Sequence, residues 1–173
     1  MSDQHLAIYL NDHLAGSVAA LELLTHLEKA NAGTPGEGFF AALRADIEGD
    51  RQDLEALMGR LHVAASPMRK ATAWFVEKAA QLKLRLDDPA GGALSQLQAL
   101  EAVAIGIHGK QALWCALAAV ARDKPMLRET DLERLEKRAV EQRRRMERVR
   151  LEAARAALGV QPRREIAEPA SNS

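Results

Sequence analysis

The stretch "LHVAASPMRK" (residues 61–70) decides the fold. Ser66 followed by Pro67 is the pair that opens a helix, a side-chain cap and then a residue whose missing N–H costs nothing in the first turn. The apolar spacing on both sides of it is helical, which predicts one helix over residues 38–63 and another over 67–86. Only about four residues link them, and so short a link forces neighbouring helices to run antiparallel.

Working outward, helix-breaking residues cluster at three further places: "NAGTPGEG" (31–38), "DDPAGG" (87–92) and "RDKP" (122–125). They predict helices over 4–30, 93–121 and 128–158 as well. Thr130 with Glu133 has capping-box spacing near the start of the last one. The expected architecture is all-α: an up-down-up-down four-helix bundle over residues 1–127 and a long amphipathic fifth helix over 128–158. The end of the chain, 159–173, is polar with two prolines and is expected to be a disordered tail.

Composition agrees with this class. Hydrophobic residues make up 47% of the 173, charged residues 28% and aromatics only 3%, a balance that suits helices rather than sheets. Net charge is zero but unevenly placed, with 12 basic and 15 acidic residues over 1–127 against 12 and 9 over 128–173. No basic start precedes an apolar run at the N-terminus, and the uncharged stretch 111–121 is about half of what a membrane span needs. A cytoplasmic protein with no membrane partner is expected. The single cysteine, Cys115, rules out an internal disulfide and any CxxC zinc motif. In its Ala-rich stripe it reads as an inert core thiol.

The fifth helix carries apolar or small residues at Leu132, Leu135, Ala139, Met146, Val149, Ala153 and Ala156, and Gln142 completes the 3,4 spacing. Such a stripe wants a partner along its length, either the bundle or the same helix of a second subunit. A homodimer through residues 128–158 is the favoured expectation. The run "RRRMERVR" (143–150) is interleaved with Glu141, Glu147 and Glu152, the pattern of an ion-paired helix surface rather than a nucleic-acid patch. Trp74 and Trp114 read as packing anchors.

Projecting each helix at 100° per residue locates polar side chains on apolar faces. His13 falls among Leu6, Tyr9, Ala20, Leu24 and Leu27. Asp50 lies between Leu43, Leu54, Leu57 and Leu61. Glu101 and His108 share a face with Leu94, Leu97, Ile105, Ala112, Cys115 and Ala119. A buried carboxylate without a partner is costly, so His13, Asp50, Glu101 and His108 are expected to meet as a buried polar cluster. The leading reading is a structural network that fixes helix register. A single transition metal held by His13, Asp50 and either Glu101 or His108 is the alternative, followed by proton transfer. Glu101 and His108 stand about 10 Å apart along one helix, too far for both to grip one ion. Glu22 and His26, four apart, are a weaker metal pair that projects toward solvent. Gly16, Gly106 and Gly109 suggest close backbone approach between helices, and Gly49 and Gly59 similarly.

No Glu-x-x-His pair of the di-iron bundles occurs, and no Gly-rich loop is followed by Lys-Ser/Thr. A phosphate role for Lys110 in "GIHGKQALW" has little behind it.

The string "YLNDHLAG" (9–16), with "LEL" (21–23) and "LEAVAIGIHGKQALW" (100–114), resembles a bacterial all-helical family without an assigned activity, sometimes described as ferritin-like. The likeness runs from residue 8 to about 155. It implies a helical bundle and little chemistry. Two functions are therefore expected to compete: a non-enzymatic interaction or regulatory bundle, and a ferritin-like metal-binding or redox protein.

Overall fold

In the computed structural model the described residues are 2–65, 77, 80, 81 and 92–159. They form four long helices and no strand: α1 (Ser2–Ala30), α2 (Glu37–Arg60), α3 (Gly92–Val120) and α4 (Leu132–Leu158), with a 3₁₀ turn at Pro125–Glu129 before the last. The helix expected over 67–86, with its Ser66–Pro67 start, and the tail beyond Gly159 lie outside the described residues.

Local chemistry explains the ends. α2 stops three residues earlier than expected because His62 takes a left-handed conformation (φ 54°). The N–H of Val63 then donates back to the Met58 carbonyl at 2.9 Å and that of His62 to Gly59 at 3.1 Å, which closes the helix in a Schellman-type turn. At the start of α4 the cap is Asp131, whose carboxylate accepts from the Arg134 N–H at 3.0 Å. The expected Thr130–Glu133 capping box does not form; the Thr130 hydroxyl accepts from Arg60 at 2.7 Å instead.

Cross-helix pairs give the chain directions. Glu28 meets Arg44 at 2.7 Å, so α1 and α2 are antiparallel. Asn31 accepts from Gln96 at 3.1 Å, at the end of α1 and the beginning of α3, so these two are antiparallel as well. Glu101 faces Arg150 at the start of α3 and Lys110 meets Gln142 further along, so α4 runs against α3. Asp46 pairs with Arg145 and Asp53 with Arg138, so α4 also runs against α2. The four described helices thus run up, down, down, up.

Two apolar clusters fill the core. Leu24 and Leu27 of α1, Leu43 of α2, Leu100 and Ile107 of α3 and Met146 of α4 belong to one. Leu10, Leu57, Trp114, Leu117, Leu135 and Ala139 belong to the other. Every helix contributes to both, and the break between them falls at Asp50, Lys110 and Gln142.

α4 is part of this core. Leu132, Leu135, Ala139, Gln142 and Met146 are buried within the chain, so the first half of the stripe packs on the bundle, whereas Val149 and Ala153 are half-buried and Ala156 is exposed. The buried face of α3 is Leu97, Leu100, Val103, Ile107, Leu113, Trp114 and Leu117; of the projected face only Leu97 is buried, and Leu94 is 51% and Ile105 60% exposed. α3 is also apolar and long enough, at 29 residues, to cross a membrane by length and composition, which the uncharged stretch 111–121 alone does not reveal.

Candidate functional site

The break between the two apolar clusters is a polar layer with one residue from each of three helices. Asp50 of α2 is 3% exposed and Gln142 of α4 is fully buried. The Lys110 ammonium of α3 donates to Asp50 Oδ2 and to Gln142 Oε1. Gln142 Nε2 donates to the same Asp50 oxygen at 2.8 Å, which closes a three-membered ring of contacts. The guanidinium of Arg138 stands beside Asp50 Oδ1, though without a well-directed hydrogen bond, and joins it to Asp53. Burial pushes the Lys110 ammonium below its ordinary pKa, and the adjacent Asp50 carboxylate opposes that shift. Every charge in the layer has a partner, the condition under which buried ions are tolerated.

α1 sends no polar partner into this ring. At the same level it carries Gly16, Ser17, Ala19 and Ala20, and α3 faces it with Ala102, Gly106 and Gly109. The result is a cavity of about 620 Å³ between α1, α2 and α3, with Leu23, Ile47, Leu54 and Leu113 among its apolar walls and Asp50 and Lys110 at its border. The glycines do not mark close helix contact. A Cβ at Gly16, Gly49, Gly59 or Gly109 would meet nothing within 4 Å, and one at Gly106 would just reach the Ala20 methyl at 4.0 Å. Gly16, Gly106 and Gly109 border empty space, and their missing side chains help to create it. Trp114 also lines the cavity; it is 1% exposed, and its buried indole N–H has no hydrogen-bond acceptor among the described residues.

The four residues expected to converge do not form one cluster. Asp50 is buried as expected, but its partners are Lys110, Arg138 and Gln142. His13 is half-buried, stands edge-on to Tyr9 with ring centroids 4.7 Å apart, and borders the same cavity. Desolvation lowers its pKa, with the neighbouring Asp12 carboxylate opposing. Glu101 is exposed at the cavity rim and pairs with Arg150 at 3.5 Å. His108 is exposed and lies 3.5 Å from an Arg143 guanidinium nitrogen, away from the other three. In the weaker pair the His26 ring sits 2.9 Å from the backbone carbonyl of Glu22.

Among the described residues no three His, Cys, Asp or Glu side chains are grouped so as to hold a metal ion. Cys115 is exposed, contrary to the core position expected for it. Its thiol pKa is raised, by desolvation first and then by the Glu136 carboxylate, so it is held as the poorly nucleophilic thiol.

Lys110, Arg138 and Gln142 carry the layer and were not among the expected site residues. Two of them left a signal. Val103, Ile107, Lys110, Trp114 and Leu117 follow helical 3,4 spacing with one cation in the middle, and Gln142 is the single polar residue in the stripe of α4. Compared with family models, with curated proteins and with solved structures, the chain finds no match.

Proposed function

We propose that this chain is a non-enzymatic interaction or regulatory bundle of the cytoplasm, and that its working part is the cavity between α1, α2 and α3, which takes a small, largely apolar ligand. The cavity itself carries the reading. A recess of about 620 Å³, open on one side and walled mainly by apolar side chains, lies within the range of small-molecule sites. Sequence choice keeps the space open: small residues stand on α1 and α3 where leucines would fill it. The Asp50–Lys110–Gln142 ring supports the same reading by fixing the register of the three helices that carry or flank the walls, the best-attested use of buried polar groups.

Binding of the uncharged fluorophore N-phenylnaphthylamine tests this. Saturable binding of one equivalent with a rise in melting temperature is expected, together with its loss in Ala20→Phe, where the ring would occupy the cavity. A dye signal unchanged in that variant overturns the reading.

The chain directions favour one further element. Helices running up, down, down, up are the pattern of bundles with one long crossover, as in ferritin-like folds. A helix over 67–86 running up between α2 and α3 would restore the alternation expected for five successive helices. The metal reading that accompanies the ferritin-like resemblance has its own check in elemental analysis of protein purified without chelators. Stoichiometric transition metal would restore it. A homodimer, if formed through 128–158, would draw on the apolar surface that α4 still exposes at Leu151 and Leu158.

A further inference from the structure

We infer that the outer face of α4 between residues 144 and 158 is a docking surface for an acidic amphipathic helix of another protein. Arg144, Arg148, Leu151, Arg155 and Leu158 recur four and three apart, so they line up along one side of the helix, opposite the side that buries Gln142 and Met146. All five are exposed, Leu151 at 42% and Leu158 at 69%. Other arginines of α4 are engaged: Arg138 and Arg145 hold aspartates of α2, and Arg150 holds Glu147 and Glu101. Arg144, Arg148 and Arg155 make no hydrogen bond or ion pair with any described residue, although Glu141, Glu147 and Glu152 lie within a turn of them. The chain's own carboxylates leave this line of charge unmet.

Charge and spacing together select the partner. A helix with an apolar stripe flanked by Asp or Glu would cover Leu151 and Leu158; the arginine stems would lie along its stripe while their guanidinium groups reach the flanking carboxylates. A continuous anionic surface fits less well. Exposed Glu141 and Glu152 would be pressed against lipid headgroups or a phosphate backbone, whereas a helix can set a cation opposite each. Two leucines are also a small anchor for a bilayer. A second copy of this chain brings the same arginines and no carboxylate along that line. No described residue of α4 lines the cavity, so this surface and the ligand reading stand or fall separately.

Fluorescence anisotropy with the full-length chain tests the inference. The probe is a labelled three-heptad peptide with Leu at a and d and Glu at e and g, whose like charges oppose pairing with itself. Saturable binding is expected, weaker as salt is raised and weaker by about tenfold or more in the double variant Arg148→Glu with Arg155→Glu. Both side chains are exposed and unpaired, so the melting temperature should hold. Leu151→Ser should weaken binding as well. Binding that survives the charge reversal overturns the inference, as does equal binding of the same peptide with Lys in place of Glu. Vesicles of phosphatidylcholine with phosphatidylglycerol and a DNA duplex complete the set. Arginine-dependent binding to either of these without binding to the acidic peptide assigns the face to lipid or nucleic acid and refutes the helix, and binding to none of the three removes the surface. A dimer by light scattering that Leu151→Ser dissociates shows a second copy on this face and overturns the inference too.

Discussion

Asp50 and Lys110 make an unequal pair. Without Asp50, Lys110 keeps only the amide oxygen of Gln142 while Arg138 keeps Asp53; without Lys110, Asp50 keeps both Arg138 and the Gln142 amide. Asp50→Ala therefore strands a buried cation and should cost about 3–5 kcal/mol, whereas Lys110→Met should cost less than half as much. Urea midpoints measure both. Replacing both residues, Asp50→Leu with Lys110→Met, removes the stranded charge and should recover most of the loss; a double variant no better than Asp50→Ala would show that the layer is held by something other than this pair.

His13 gives a pH-dependent counterpart at the same scale. Its folded pKa lies below the ordinary value of 6.5 because burial disfavours the imidazolium. Between the folded and unfolded pKa values the unfolded chain binds the extra proton, so stability rises with pH in that window and falls as pH drops below 6.5. His13→Phe keeps a flat ring against Tyr9 and removes the titration. The melting temperature of the wild type should fall more steeply than that of the variant between about pH 7 and about pH 5. Parallel curves would place the acid sensitivity in the carboxylate pairs instead.

At the scale of elements, legibility in the sequence followed contrast. The breakers at 31–38 and 122–125 placed α1, α2, α3 and α4 within a few residues, because Gly and Pro act locally whatever the tertiary context. α4 can also be oriented, since its charged flanks leave one narrow apolar stripe, and every buried residue of α4 lies on it. α3 cannot. Apolar residues surround it almost completely, so its amphipathicity is near nil and projection selects no face. The face that its ionisable residues Glu101 and His108 mark is the exposed one, and the cation that enters the core, Lys110, stands beside glycines that give its face no contrast. Asp50 was found because α2 has a polar side with which to contrast it. The cavity left only a faint trace, in the glycines at 16, 106 and 109, because sequence shows missing side chains without showing whether a neighbour takes their place.

For the whole molecule, the decisive question is whether α4 is an appendage or part of the fold. Its buried face enters both apolar clusters and supplies Gln142, Arg138 and Arg145 to partners on α2 and α3. Burying Leu132, Leu135 and Met146 is worth on the order of 6 kcal/mol, comparable with the whole net stability of a domain at about 5–15 kcal/mol. Deleting everything after Lys124 therefore removes one wall of the core and leaves Asp50 with Lys110 alone. The truncated chain should retain helical far-ultraviolet dichroism, lose cooperative urea unfolding and bind hydrophobic dye non-specifically, whatever the oligomeric state of the parent. Light scattering on the same pair of proteins separates the alternatives. A truncated monomer that unfolds cooperatively, from a dimeric parent, would mean that residues 128–158 serve a second subunit and that residues 1–124 stand alone; a truncated chain that collapses loosely means the fourth described helix is what makes the other three a fold.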